Sequence, residues 1–317
     1  MAKNPQMATT YTRERAFGGG FAARWTWSRL KERLIEFAMF LAALSSIAVT
    51  LGIVWTLLFE SFHFFEHVSL WDFLTDTQWT VLFENPRYGI MPLVAGTVVT
   101  SGVALLVALP IGTTIAIYLS EYANLRVREI LKPILELLSA VPTVVFGYFA
   151  FLFVTPILQT LFPDLPGFNM LSAGIVIGTM IIPYVSSLSE DAVKAVPIHI
   201  REGSYAMGAT RLQTAVRVLM PAAFSGIASA YVLGFSRAVG ETMVVAIAAG
   251  QQPNLTLNPM EGAATITAYI VQVSLGDLPH GTIAYQSIFA AGLTLMVMTL
   301  VFNVAGYLLR KRYREIY

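Results

Sequence analysis

Six long apolar stretches divide the chain and predict six transmembrane helices. They cover residues 34–59, 90–118, 140–161, 171–189, 219–249 and 283–309. A helix of about 20 apolar residues is long enough to cross the hydrocarbon core of a bilayer. The pattern therefore predicts an all-α, polytopic membrane protein, and it leaves no stretch for a soluble domain.

Residues 125–139, just before the third predicted span, mix charged and apolar side chains at helical spacing. If this segment were a further span, everything after it would be reversed and the basic segment 190–218 would lie outside. We therefore interpret it as an amphipathic helix at the cytoplasmic interface. Pro142 then marks the start of the third span.

Basic residues collect on one side of this division. Eighteen of the 20 Lys and Arg residues lie in segments 1–33, 120–139, 190–218 and 310–317. The opposite loops, 60–89, 162–170 and 250–282, contain only Arg87. Since Lys and Arg accumulate in the cytoplasmic flanks of membrane helices, both termini are predicted to be cytoplasmic.

The predicted domain organisation follows from this topology. Residues 1–33 form a basic cytoplasmic tail, in which no apolar run could serve as a cleaved signal peptide. Residues 34–89 hold the first span, as an uncleaved anchor, and an extracytoplasmic segment. The transmembrane core is predicted at 90–309, with a cytoplasmic loop at about 195–218, and 310–317 form a cytoplasmic tail.

The composition excludes several classes of function. Charged residues make up 12% of the chain, about half the roughly 25% typical of soluble domains. A net charge of +1 leaves no cation excess to neutralise a nucleic acid. The sequence has no cysteine and no P-loop, so disulfides and ATP hydrolysis by a P-loop in this chain are excluded. The pattern from His63 to His67 matches a short zinc-peptidase motif, but no third ligand is evident and no metal site is predicted.

The fifth predicted span contains Arg237 and Glu241, the only ionised side chains deep inside any span. An Arg at a helix centre costs about 2.5 to 3.5 kcal/mol, so such residues persist where they face protein or water. Their i, i+4 spacing predicts that they meet on one helix face. The pair either fixes helix packing or borders a translocation path, where Arg237 would bind an oxyanion and Glu241 would restrain it. The flanking Ser236 and Thr242 belong to the same candidate pathway.

The cytoplasmic loop before this span has a motif with fixed spacing. Glu202, Gly208 and Pro221 predict a short helix with Glu202 in its first turn, a turn in which Gly208 takes a positive φ, and a second short helix. Such a knob can dock into a groove of another protein. The candidate docking residues are Glu202, Gly203, Ser204, Tyr205, Ala206, Gly208, Ala209, Thr210 and Pro221.

In this spacing the loop resembles the EAA loop of importer permeases in the ATP-binding-cassette superfamily, with Gly203 and Ser204 in place of the two alanines. The segments 93–121, 136–148, 181–184 and 233–245 are similar to phosphate importer permeases of the PstC type. The resemblance implies the MetI-like fold of type I importers, and it implies transport roles for Arg237 and Glu241.

The resemblance also implies partners and a location. These are a PstA-type permease in a heterodimer, two PstB-type ATPase subunits and an extracytoplasmic phosphate-binding protein of the PstS type. No cofactor is expected in this chain, because ATP and Mg would be bound by the ATPase subunits. The expected location is the bacterial cytoplasmic membrane, in contact with lipid.

Three alternatives remain open from the sequence. The chain could be the PstA-type partner, or it could carry another oxyanion such as sulfate, molybdate or phosphonate. In a different class, a proton-coupled secondary transporter, Glu241 would carry the coupling proton.

Overall fold

A computed structural model of the protein describes residues 18–81, 83, 85–277, 279 and 281–312, with the side chains from residue 31 onward except that of Asp277. The described part consists of helices joined by loops, and an isolated antiparallel bridge links Trp79 to Tyr88. Its helices are α1 (Gly18–His67), α2 (Leu70–Thr75), α3 (Met91–Ile117), α4 (Leu125–Ala140), α5 (Thr143–Phe149), α6 (Thr155–Leu161), α7 (Met170–Lys194), α8 (Ile198–Ala206), α9 (Arg211–Thr214), α10 (Met220–Ala222), α11 (Phe224–Val239), α12 (Met243–Ala248), α13 (Ile266–Gln272) and α14 (Ile283–Arg312).

Short π-helical turns extend four of the helices. They lie at Tyr118–Tyr122 after α3, Ala150–Val154 between α5 and α6, Ala215–Leu219 between α9 and α10, and Val273–Asp277 after α13, where Gly276 at φ 109° kinks the chain. The turn between α5 and α6 makes Thr143–Leu161 one continuous helical run, as the sequence predicts for the third span.

The length and composition of the helices give five candidate spans, and six, as predicted, when a bent pair is counted as one span. Five apolar helical runs are long enough to cross a bilayer: Lys31–His67, Met91–Tyr122, Thr143–Leu161, Met170–Lys194 and Ile283–Arg312. The bent pair is Arg211–Ala222 followed by Phe224–Val239, with 76° between its halves, where the sequence predicts a single span at 219–249. The predicted amphipathic helix is present as α4, separate from the third span.

The chain forms two compact units, Met1–Thr56 and Leu57–Tyr317. The described part of the first unit is the portion of α1 from Gly18 to Thr56. This helix starts inside the segment predicted as a basic tail, so residues 18–33 are helical. Residues 1–17 and 313–317, which hold the rest of the two predicted tails, lie outside the described residues.

Helix α7 lies at the centre of the second unit, and most of its side chains are buried. Its glycines let α3 approach closely, because a Cβ at Gly174 would lie 2.6 Å from Val103 Cβ and one at Gly178 would lie 2.7 Å from the carbonyl oxygen of Ala104. On the other helix, a Cβ at Gly112 would overlap Val185. Small residues at a helix interface allow this backbone approach in membrane proteins.

The segment 250–282, predicted as an outer loop, is more ordered than the sequence indicates. It contains α13, whose residues Ile266, Ala268 and Tyr269 are buried. The Tyr269 ring packs edge to face on Trp79, with centroids 4.9 Å apart. The apolar run around α13 is too short for a span, so hydropathy alone assigns it to a loop. Its burial depends on contacts with residues about 190 positions earlier in the chain.

Candidate functional site

Arg237 lies in the last turn of α11, with the Cζ atom of its guanidinium over an aromatic ring. Its Cζ atom is 4.3 Å from the centroid of the Tyr184 ring on α7. This distance is typical of a cation–π contact. Towards the residues that the structure describes, the guanidinium makes no hydrogen bond or ion pair, and its Nε is buried without a partner. The arginine is therefore held by a ring face while its N–H donors remain unpaired within the described part of the chain.

Glu241 does not lie on the same helix as Arg237, so the predicted i, i+4 pair is wrong. Helix α11 ends at Val239, and Gly240, which has low helix propensity, follows it. The Glu241 side chain is buried, and its Oε1 accepts a hydrogen bond from the Val244 N–H at 3.4 Å, at the start of α12. The break also shows that the predicted span 219–249 is not one helix.

The other two predicted pathway residues point to different partners. The Ser236 hydroxyl donates to the carbonyl oxygen of Val232 at 3.0 Å and to Asn303 Oδ1 on α14 at 3.2 Å. The Thr242 hydroxyl donates to the carbonyl oxygen of Gly240 at 3.1 Å. The structure therefore brings neither hydroxyl to the Arg237 guanidinium, and it adds Tyr184, which the sequence does not single out.

Buried hydroxyl groups connect the helix break to α3 and α13. The Thr267 hydroxyl donates to the backbone carbonyl of Glu241 at 2.7 Å and lies 3.1 Å from Thr265 Oγ1. The Thr97 hydroxyl on α3 accepts from the Ile266 N–H at 3.0 Å. Ser and Thr residues within apolar segments indicate from the sequence that such a network can form. Their hydrogen-bond partners cannot be predicted in this way, because they lie in distant parts of the chain.

Two clefts lie near the ends of the helix bundle. One, of about 220 Å³, is lined by residues of α4 and α7 that include Lys132, Tyr184, Ser187 and Glu190. The other, of about 700 Å³, lies among residues predicted to be extracytoplasmic or next to that side. Its polar lining consists of Gln251, Gln252 and Gln272.

The predicted docking loop folds as two helical arms joined by a tight turn. Gly208 has φ 83°, which confirms the predicted positive φ. Its N–H donates to the carbonyl oxygen of Tyr205 at 2.9 Å, and the Ala209 N–H donates to that of Ser204 at 3.2 Å. Thr210 and Gln213 form a capping box that starts α9, and Ser204 Oγ lies 2.9 Å from Thr214 Oγ1, which links the arms. Pro221 lies in the first turn of α10.

The predicted position of Glu202 in the first turn of the knob is wrong. Pro197 caps α8, which begins at Ile198, so Glu202 lies in the second turn. Around it the surface is open: Glu202, Gly203, Ala206 and Gly208 are exposed, and Met207 at the turn is 88% exposed. An exposed methionine beside a rigid turn is typical of a surface that contacts another protein.

The opposite side of α8 is tied to the end of α3. Arg201 Nη2 lies 2.9 Å from Glu121 Oε1, and the Tyr205 hydroxyl donates to Glu121 Oε2 at 3.1 Å. Burial raises the pKa of the Tyr205 phenol, and the negative charge of Glu121 raises it further. The phenol therefore remains a hydrogen-bond donor across the physiological pH range.

A buried carboxylate that the sequence pattern does not single out joins α4 to α7. Glu190 is fully buried, and its carboxylate pairs with Arg128 Nε at 3.2 Å, with Lys132 Nζ at 3.1 Å and with Lys194 Nζ. Arg128 also donates to the carbonyl oxygen of Leu119 at 2.6 Å. Burial alone would lower the pKa of Lys132, but hydrogen bonds to Glu190 and Asp191 and their charges outweigh it, so that pKa is raised.

No metal centre is evident in the described part of the chain. It contains no group of three or more His, Cys, Asp or Glu side chains arranged to hold a metal ion. His63 Nδ1 lies 3.2 Å from Glu66 Oε2, so these two residues of the zinc-peptidase pattern pair with each other.

Most of the chain is similar in sequence to known proteins. The model of the family described as binding-protein-dependent transport system inner membrane component matches residues 108–315. The probable ABC transporter permease protein YqgH of Bacillus subtilis is 35% identical over 235 residues, which are 74% of this chain and 76% of that protein. The phosphate transport system permease protein PstC of Mesorhizobium japonicum is 31% identical over 262 residues, covering 75% of this chain and 78% of that protein.

Solved structures support the same fold. A chain of a bacterial ABC transporter involved in the import of the acidic polysaccharide alginate superposes with a TM-score of 0.63. That match covers 90% of this chain and 98% of the other, at 19% sequence identity. At this identity the likeness concerns the fold, and it agrees with the predicted importer-permease architecture.

Proposed function

Because the chain belongs to the family of binding-protein-dependent transport system inner membrane components, and within it to the PstC-type permeases, we propose that it carries inorganic phosphate across the membrane. The observation that supports this most is the Arg237 guanidinium, whose N–H donors are unpaired among the described residues of a membrane helix. A guanidinium presents a planar fork of donors that matches two oxygens of a phosphate.

One unpaired arginine is suited to binding an anion reversibly, as a carrier must, rather than to holding it permanently. Glu241 lies beyond the helix break and its Oε1 is engaged with the Val244 N–H, so the arginine is not neutralised by an ion pair with a described residue. The site therefore attracts an anion through charge-assisted hydrogen bonds. A single cation in each subunit also lets the anion leave, which transport requires.

Transport is proposed to proceed by alternating access. An ATPase would contact the knob formed by the end of α8 and the turn at Gly208, where Glu202 and Met207 are exposed. Displacement of α8 would reach α3 through the ion pair of Arg201 with Glu121. The spans would then tilt, and the Arg237 site would open to one side and then to the other.

The proposed complex contains further chains. A PstA-type permease would complete the pathway, two PstB-type ATPase subunits would bind ATP and Mg and receive the knob, and a PstS-type protein would deliver phosphate from outside. The chain is proposed to lie in the bacterial cytoplasmic membrane with both termini in the cytoplasm, because most of its basic residues share one predicted face. In this arrangement the chain itself is a transport subunit, not an enzyme.

Uptake of radiolabelled inorganic phosphate by proteoliposomes that hold the whole complex tests this function. With the binding protein outside and ATP inside, uptake is expected to need ATP and to resist excess sulfate and molybdate. Competition by either anion at equal concentration would contradict phosphate as the substrate. Uptake that persists without ATP and collapses with the proton gradient would instead support secondary transport.

A further inference from the structure

The contact between Arg237 and Tyr184 is built into the packing of two helices. Gly234 precedes Arg237 by three residues, which puts both on the same face of α11. A Cβ at Gly234 would lie 3.1 Å from Val185 Cγ2 and 3.3 Å from Ile181 Cγ2, so α11 is seated directly on α7 at this level. Tyr184 lies on α7 between Ile181 and Val185 in sequence. The close approach of the helices at Gly234 therefore brings the Arg237 guanidinium onto the Tyr184 ring.

Tyr184 itself is held in a well-packed part of α7. Its neighbours Pro183 and Val185 are buried, and Val185 also packs against Gly112 of α3. Tyr184 is partly buried and lines the cleft between α4 and α7 together with Ser187 and Lys132. The ring therefore forms part of the wall of this cleft, at the predicted cytoplasmic end.

A ring face stabilises the charge of a guanidinium without occupying its N–H donors, which an acidic partner cannot do. A carboxylate would neutralise the charge and occupy the N–H donors, whereas the ring attracts the cation through its π electrons and leaves donors in the guanidinium plane. In the described part of the chain Arg237 has this contact and no hydrogen bond or ion pair. The charge is thus held in place while its hydrogen-bonding capacity remains.

We propose that Tyr184 is the positioning residue for Arg237: its ring fixes the guanidinium plane so that the free donors form one preorganised oxyanion fork. This inference rests on the proposed function of Arg237. The ring face carries the effect, and the phenol hydroxyl is not required for it. Loss of the ring should therefore weaken capture of phosphate more than it slows the later steps of transport.

Three variants of the whole complex test this role. Tyr184→Phe keeps the ring and should keep the KM for phosphate within about twofold of the wild type. Tyr184→Leu removes it and should raise KM by about 2- to 30-fold at a nearly unchanged maximal rate, the range expected for loss of a cation–π contact. Tyr307→Leu is the matched control, because Tyr307 is an exposed tyrosine of α14, and its KM should not change.

A second measurement does not depend on transport. In a double-mutant cycle on the purified permease, Tyr184→Leu and Arg237→Met should have non-additive effects on thermal stability. Additive effects, an unchanged KM in Tyr184→Leu, or equal impairment in Tyr184→Phe would each overturn the positioning role. Absence of phosphate uptake by the wild-type complex would contradict the proposed function and the inference with it. Normal wild-type uptake with an unchanged KM in Tyr184→Leu would contradict the inference alone.

Discussion

Arg201 on α8 and Glu121 at the end of α3 form an ion pair, with Arg201 Nη2 2.9 Å from Glu121 Oε1. The Glu121 side chain is 3% exposed, so this pair is largely removed from water. Helix α8 carries the exposed knob proposed to contact an ATPase, and α3 is a membrane span. The pair therefore connects the proposed docking surface to the transmembrane core.

Removing either partner of this pair should destabilise the permease. Arg201→Met and Glu121→Gln each leave a partly or fully buried charge without its partner, and each should lower the thermal unfolding midpoint of the purified complex. The double variant should lose less than the sum of the singles, by about 0.5 to 3 kcal/mol. Lys311→Met changes an exposed residue of α14. Its effect on the free energy of unfolding should be additive with that of Glu121→Gln. Additivity of Arg201→Met with Glu121→Gln would show that the pair does not couple α8 to α3.

The cluster around Glu190 predicts a sharp difference between neighbouring carboxylates. Glu190→Gln leaves the charges of Arg128, Lys132 and Lys194 without their shared buried partner, and it should cost about 3 to 5 kcal/mol. Asp191→Asn is the matched control, because Asp191 is 62% exposed and pairs with Lys132 at 3.6 Å. It should cost no more than about 1 kcal/mol. Denaturant unfolding of the two variants measures both values, and similar losses would contradict a structural role for the buried cluster.

Two glycines of the knob should respond to alanine in opposite ways. Gly208 has φ 83°, where a Cβ costs about 1 to 2 kcal/mol, so Gly208→Ala should loosen the turn. Gly203 lies inside α8 with open space where a Cβ would be, so Gly203→Ala should stabilise the helix by about 0.5 to 1 kcal/mol. Co-purification of the ATPase with each variant reports the effect on docking. Of these two variants, Gly208→Ala alone is expected to co-purify less ATPase.

Gly208→Asp places a larger, charged side chain at the same turn. This variant should lose the ATPase while the permease still inserts. Retained complex and retained uptake in Gly208→Asp would exclude the knob as the docking surface.

The absence of cysteine allows a direct test of the predicted orientation. Arg87→Cys should react with a membrane-impermeant maleimide in intact cells, since Arg87 lies in a predicted outer loop and its side chain is 58% exposed. Arg217→Cys, exposed after the knob, should react only after the membrane is permeabilised. The reverse labelling pattern would invert the topology.

Hydropathy and charge predict the spans, the separate amphipathic helix and the knob because each depends on residues close together in the chain. The helix break after Val239 depends on local and distant residues. Gly240 weakens the helix locally, and the distant Thr267 donates its hydroxyl to the backbone carbonyl of Glu241. Sequence spacing alone therefore gives the wrong geometry for Arg237 and Glu241.

Burial of charge is the other feature that local sequence does not reveal. Glu190 follows an apolar span and lies next to exposed Asp191, and both look like residues of a cytoplasmic loop. Its burial arises because Arg128 and Lys132 of α4, about 60 residues earlier, fold over it. In the same way, Tyr184 becomes part of the candidate site only because the close packing at Gly234 of α11 brings Arg237 onto it.

Phosphate uptake by an Arg237→Gln complex tests the central claim most directly, because glutamine removes the charge and keeps a polar side chain of moderate length. With permease abundance and ATPase co-purification matched to the wild type, uptake should fall by at least about tenfold, as expected for loss of a charge-assisted contact worth about 1.5 to 3 kcal/mol. Arg126→Gln, at an exposed position on α4, should retain wild-type uptake. Undiminished uptake in Arg237→Gln would contradict the assignment of this guanidinium to the phosphate pathway.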